Sequence, residues 1–148
     1  MIIRSAIHSD CEILSKIAYQ SKAYWGYSEE FLTQCKNDLT ITKEYIDRNL
    51  VYVMEVDNKL IAFYSFSLQE TKLEALFISP SYIGQGLGRK LWSHALQQAK
   101  QLQLNEFTID SDPYAEEFYL KMGAKRVGEI QSTVFPERYL PLMSVHVI

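Results

Sequence analysis

Cysteine is scarce: there are two, Cys11 and Cys35, with no CxxC and no metal-ligand spacing. That excludes a disulfide framework and a cysteine-held zinc, and it fits reduced thiols in a cytoplasmic protein. Long apolar runs are also missing. None approaches the ~20 residues that cross a bilayer, and the apolar start of "MIIRSAIHSD" is too short for the core of a signal peptide. No membrane partner is expected. Positive charge is not in excess either: the formal net charge is −3, so no face is demanded for a polyanion and nucleic acid is not an expected partner. His8, His94 and His146 share no ligand spacing, so no metal is expected. Glycine is sparse, at six residues, yet three of them (Gly84, Gly86 and Gly88) fall on alternate positions of "YIGQGLGRKL". Glycine at that density is entropically costly. Something must require bare backbone there.

What remains is an ordinary globular composition, 47% hydrophobic over 148 residues and rich in tyrosine, enough for a real core. No repeat, low-complexity tract or linker interrupts it, so residues 1–148 are expected to form one domain. "IIRSAI" at 2–7 alternates like a strand. Ser9 or Asp10 can cap a helix carrying Ile13, Leu14, Ile17 and Ala18. The aromatic stretch "SKAYWGYS" follows, and then two short helices capped by Ser28 and Thr42. "LVYVMEV" (50–56) and "LIAFYSFSL" (60–68) flank "DNK", a hairpin signal. "KLEALFIS" (72–79) is a strand stopped by Pro80. After the glycines, Leu87, Leu91, Ala95, Ala99 and Leu102 step along one face of a helix that runs to about Gln101. "NEFTID" (105–110) is a strand, and "SDPYAEEFYLKMGA" is a short helix with Asp112 as cap, Pro113 in its first position and Gly123 as stop. "KRVGEIQ" and "YLPLMSVHVI" close the chain as strands, with Pro141 marking an edge or a bulge. The order predicts an α/β (α+β) mixed sheet of about seven strands with helices on its faces. Exposed final strands could pair between subunits, which leaves a homodimer open.

A helix N-terminus presents unpaired N–H groups and partial positive charge. Glycines ahead of it remove the side chains that would hold an anion off, so a strand, a glycine loop and a helix make a pyrophosphate cradle. Arg89 and Lys90 sit at the wrong end of the helix for its dipole, and an anion would explain them. Two familiar loops do not match. The P-loop needs GxxxxGK and a hydroxyl, and the Rossmann fingerprint GxGxxG fails because its third glycine falls on Arg89 or Leu91.

"LFISPSYIGQGLGRKLW" resembles the acyl-CoA signature of the GNAT N-acetyltransferases, a strand followed by (Q/R)xxGx(G/A) and a helix. "SDPYAEEFYLKMGA" is similar to that family's later motif, an alanine, a Phe-Tyr pair and a glycine on a short helix. The element order agrees along essentially the whole chain. The resemblance implies a mostly antiparallel sheet splayed between its fourth and fifth strands, with the pantetheine arm of acetyl-CoA in the wedge. It implies coenzyme contacts from the backbone of Leu76, Phe77 and Ile78, from the loop at Gly84, Gln85, Gly86, Leu87, Gly88 and Arg89, and from Ala115, Phe118 and Lys121. The family's Q/R position falls on Ile83, so one side-chain contact to phosphate is lost; Gln85 could compensate. The implied activity is acetyl transfer from acetyl-CoA, as cosubstrate, to a small-molecule or peptide amine. A CoA-binding sensor without turnover, or a protein amine as acceptor, are the alternatives.

Tyr119 is either a core tyrosine or, as the family implies, the donor of a proton or a hydrogen bond to the departing thiolate. A phenol near ~10 can serve a thiol near ~8.5. By simple alternation Glu74 shares a face with Leu76 and Ile78. There it is either a solvated strand-end residue or the base that frees the amine, directly or through water. Tyr24, Trp25 and Tyr27 form either a lid on the core or an aromatic wall for the acceptor. Asp112 is either a helix cap or a group that orients pantetheine or amine.

Overall fold

The computed structural model describes residues 1–147. In chain order the elements are β1 (Ile2–Ser5), α1 (Cys11–Ala23), α2 (Glu29–Leu39), α3 (Lys43–Arg48), β2 (Leu50–Val56), β3 (Lys59–Ser67) and β4 (Lys72–Ile78). They continue with α4 (Leu87–Gln101), β5 (Glu106–Asp110), α5 (Glu116–Lys121), β6 (Lys125–Gln131) and β7 (Tyr139–His146). The expected last strand ran on to Ile148, which lies outside the described residues.

The local signals act as expected at several boundaries. Ser28 Oγ accepts from Phe31 N at 3.1 Å, and Thr42 Oγ1 accepts from Tyr45 N at 3.1 Å, so each helix has one of its orphan donors satisfied. Asp57 and Asn58 take positive φ (52° and 62°) between paired Val56 and Lys59. That is the primed two-residue turn whose twist suits a hairpin. Asp10 does not cap α1 with its side chain; its carboxylate accepts instead from Ile7 N at 2.9 Å and pairs with Arg4.

The seven strands lie in the order β1-β2-β3-β4-β5-β7-β6. Every neighbouring pair is antiparallel except β4 and β5, which are parallel and matched only at Lys72 and Thr108. β3 lies inside the sheet and is buried on both faces. Tyr64 and Phe66 pack with Leu91, Trp92 and Ala95 of α4, while Phe63 packs with Leu14 and Ile17 of α1 and Cys35 of α2. This explains why its sequence is a continuous apolar run rather than an alternating one.

Three expectations change. β7 is an interior strand, between β5 and β6, so Pro141 marks neither an edge nor a bulge. The β5 ladder ends at Asp110–Leu142, one residue short of the proline, and the Pro141 carbonyl accepts from Ser111 N at 2.9 Å. The missing N–H therefore costs no ladder bond to β5. Of the two final strands, only β6 is left at an edge. The short helix after β5 is two pieces, a 3-10 turn at Pro113–Ala115 and then α5.

The third change concerns Glu74. Ser65 pairs with Ala75, but Phe66 pairs with Leu73, so β4 carries one residue more than β3 and Glu74 is the extra one. A bulge of this kind shifts the alternation by one. Leu76 and Ile78 pack with the α4 layer. Glu74 instead meets Tyr45, which packs with the α1–α2 layer, so it does not share a face with Leu76 and Ile78.

Candidate active site

Beyond Lys72 and Thr108 the middle of the sheet opens. Thr108 N still donates to Thr71 O at 3.2 Å, but β4 residues 73–78 have no β5 partner. Two cavities meet in the gap. One, of about 460 Å³, lies under α1 and α2 and is lined by Lys22, Asp38, Tyr45, Glu74 and Asp112 among others. The other, of about 360 Å³, runs along the glycine loop past Ile83, Arg89 and Lys121. Ser21, Trp25, Leu76, Ala115 and Tyr119 wall both.

The three glycines serve two different needs. Gly84 and Gly86 have φ of +87° and +77°, the left-handed region that other residues resist. A side chain built at either would meet nothing within 4 Å, so the backbone faces open space. Gly86 is also the residue ahead of α4, whose first N–H groups point back into the loop. Gly88 is different. A Cβ there would lie 3.1 Å from Phe118 Cε1 and 3.3 Å from Ile78 Cδ1, so its smallness brings α4 close to β4 and α5. An anion fits the loop: bare amides, no side chain in the way, and the cations Arg89 and Lys121 along the same cavity. Arg126 does not line this cavity; it pairs with Glu116 at 3.2 Å and Glu129 at 3.0 Å.

Tyr119 stands where the cavities join. It is 7% exposed, its ring lies against Trp92 and Phe118, and its hydroxyl bonds to no described residue. Burial, and secondarily the negative charge of Asp112, push the phenol well above its usual range. It therefore stays protonated and can donate a hydrogen but not act as a base at neutral pH. Glu74, exposed by its bulge, lines the larger cavity. Its Oε1 accepts from Tyr45 Oη at 3.0 Å.

A family model of the acetyltransferase (GNAT) domain matches residues 13–133. The chain belongs to the GNAT acetyltransferase family. It is similar to the peptidyl-lysine N-acetyltransferase YjaB of Salmonella typhimurium, with 37% identity over 73 residues, 49% of this chain and 48% of the relative. The chain spans about half the length of the curated relatives it matches. Among solved structures, the apo form of YjaB from Escherichia coli has a TM-score of 0.70 at 25% identity, covering 100% of this chain and 99% of that one. The PaiA N-acetyltransferase of Thermoplasma acidophilum, solved with coenzyme A, has a TM-score of 0.80 at 22% identity, covering 98% of each chain. The likeness to PaiA is one of fold.

In this GNAT chain the aromatic stretch after α1 divides in a way its sequence did not show. Only Trp25 walls the cavities, and it stacks on Tyr114 with ring centroids 5.5 Å apart. Tyr24 is 53% exposed and lines neither cavity. Tyr27 also lines neither. Its hydroxyl donates to Asp112 at 3.0 Å and accepts from Arg138 Nη2 at 2.6 Å. Its ring stacks on Phe31, which stacks on Phe135. Burial, with the adjacent Asp112 charge, pushes this phenol up as well.

Asp112 is the centre of that cluster. Oδ1 accepts from Tyr114 N at 2.9 Å, which is the expected cap. The carboxylate also pairs with Lys22 of α1, and Arg138 lies 3.9 Å away. The carboxylate held by these bonds also lines the larger cavity. Sequence reading missed Lys22 and Arg138, which reach Asp112 from α1 and from the β6–β7 loop. It also missed Tyr45 and Ser65, although a serine inside "IAFYSFS" was a signal that something polar meets the strand there.

Cys11 and Cys35 are free thiols, and burial pushes both upward, away from thiolate. That disfavours either as a nucleophile.

Proposed function

We propose that this chain moves an acetyl group from acetyl-CoA to an amine by direct attack while both are bound. The observation that carries the reading is the meeting of the loop-side and acceptor-side cavities at Tyr119, in the gap between β4 and β5. Acetyl-CoA supplies an acetyl group activated as a thioester. The amides around Gly84, Gly86 and Leu87 hold its diphosphate, with Arg89 and Lys121 alongside. The backbone of Leu76, Phe77 and Ile78, which has no β5 partner, receives the pantetheine on that side, and one N–H there polarises the thioester carbonyl. Gly88, Phe118 and Ala115 shape the channel; Gln85 stands beside Ile83, which supplies no polar contact.

On the other side Glu74 takes a proton from the incoming ammonium, directly or through water, because an alkyl ammonium near ~10 is otherwise mostly protonated. The free nitrogen attacks the carbonyl carbon, and the nitrogen of the adduct sheds its second proton to water. The carbon–sulfur bond breaks, and Tyr119 gives a hydrogen bond or its proton to the departing sulfur, with any proton it gives restored from water. Holding the two substrates together supplies most of the acceleration. Trp25 forms the acceptor wall at the junction. Asp38 and Glu74 line the acceptor cavity with no ion-pair partner among the described residues, which suits a cationic amine. A peptide lysine, the acceptor class in the name of the Salmonella relative, is within this reading; so is a small amine. Reduced Cys11 and Cys35 suit a cytoplasmic setting.

The test is calorimetric titration with acetyl-CoA, followed by CoA release measured with polyamines, amino acids, aminoglycosides and lysine peptides. Expected are binding and amine-dependent release. Absence of acetyl-CoA binding overturns the reading. Binding without release from any amine favours a non-catalytic CoA sensor.

A further inference from the structure

Ser65 is a polar residue deep in the sheet. It lies in β3 between Tyr64 and Phe66, with none of its surface exposed. A buried hydroxyl is costly unless bonded, and its partner comes from outside the sheet: Tyr45 Oη of α3 lies 2.6 Å from Ser65 Oγ. The same phenol donates to Glu74 Oε1 at 3.0 Å. A phenol has one hydrogen. With that hydrogen on the carboxylate, the serine must donate to the phenol, and the chain runs Ser65 to Tyr45 to Glu74. The bulge in β4 falls opposite this serine, with Ser65 paired to Ala75 and the ladder resuming at Phe66 and Leu73. Under unbroken alternation Glu74 would fall on the face of Leu76 and Ile78, away from Tyr45.

We infer that Tyr45, anchored by Ser65, is a positioning residue that holds Glu74 at the rim of the acceptor cavity with one carboxylate oxygen engaged and the other free. The inference rests on the transferase reading in which Glu74 is the base. Its logic is pre-organisation: an exposed glutamate samples many rotamers, and a base must stay within reach of the proton it takes. Burial, opposed by the Ser65 bond but helped by the Glu74 charge, keeps the Tyr45 phenol above its ordinary range, so it stays a donor. The other charged or titratable groups around the cavity are Lys22 of α1, Asp38 of α2, Asp110 and Asp112 at the end of β5, and Tyr119 of α5. Lys72, on the strand that carries Glu74, is taken up by Asp110 at 2.9 Å.

The test compares Tyr45→Phe, Ser65→Ala and Glu74→Gln with the unaltered protein. The probes are acetyl-CoA with spermidine and with a lysine-containing peptide; kcat and acceptor KM are measured, and Tyr45→Phe is also placed in the Glu74→Gln background. Tyr45→Phe keeps the ring and loses only the bond. It should lower kcat roughly ten- to a hundredfold, at or below the low end of what an acid–base group contributes, because the base remains but is less well held. The loss should fall on kcat rather than on acceptor KM, and Tyr45→Phe should add nothing once Glu74 is gone. Acetyl-CoA affinity should stay within twofold. Ser65→Ala should do the same to a smaller degree. If Glu74→Gln slows turnover while Tyr45→Phe leaves kcat unchanged, the positioning role is overturned and the transferase stands. A Tyr45→Phe loss that persists in full in the Glu74→Gln background marks a merely structural contact and also overturns it. Normal kcat in Glu74→Gln removes the base, and this inference with it. An unaltered protein that binds acetyl-CoA but releases no CoA with either probe overturns both.

Discussion

The two sides of the β4–β5 gap are built by different means. The loop side relies on backbone: left-handed glycines, the amides ahead of α4 and β4 positions without a β5 partner. The acceptor side relies on side chains drawn from distant segments. Asp112 collects Lys22, Tyr27 and Arg138, Phe31 stacks between Tyr27 and Phe135, and Tyr45 links Ser65 to Glu74. Aromatic stacks of this kind contribute about 0.5–1.5 kcal/mol each beyond their burial. A backbone-built site accepts the same ligand in many sequences. One built of side chains can be reset by a few substitutions, so the acceptor is where a family on one fold diversifies.

The sharpest way to break the contrast is Gly86→Val. The valine would have to hold φ of +77° and would fill the open space ahead of α4, so acetyl-CoA binding should be abolished in calorimetry while circular dichroism still reports a folded chain. Retained affinity would remove the cradle. At the junction, Tyr119→Phe should lower kcat by roughly ten- to a thousandfold with little change in acetyl-CoA affinity; unchanged turnover would remove Tyr119 from the chemistry. On the acceptor side, Asp112→Ala strips the cap and leaves Lys22 and Arg138 facing each other without their anion. We expect a loss of about 3 kcal/mol in urea unfolding, the scale for breaking a largely buried pair. A loss below about 0.5 kcal/mol would mean that the cluster is ornamental. The smallest effect sharpens the loop side. Ile83→Gln returns a polar side chain at the family's Q/R position, and acetyl-CoA should bind several-fold more tightly, near the ~1 kcal/mol of one added hydrogen bond.

The same division governs what could be read in advance. The caps at Ser28 and Thr42, the Asp57–Asn58 turn, the stripe of α4 and the glycine loop are short-range matters, in which a few consecutive residues carry both the signal and its physical cause. Glu74 was misplaced because alternation assumes an unbroken ladder, and a bulge is set by the partner strand. Tyr24, Trp25 and Tyr27 look alike in a row of aromatics. Which of them walls the cavities depends on Tyr114 and Asp112, more than eighty residues on. Pro141 suggested an edge because nothing local says that β7 inserts between β5 and β6.

By itself, then, the amino-acid order determined the elements, their succession and a loop of naked amides, since each depends on torsional preference, periodicity and capping within a few residues. Tertiary structure alone decided how far β4 and β5 part, which way Glu74 faces, and which side chains surround the acceptor cavity. Those outcomes depend on contacts between segments as far apart as Tyr27 and Arg138, whose meeting is set by packing and charge pairing in three dimensions.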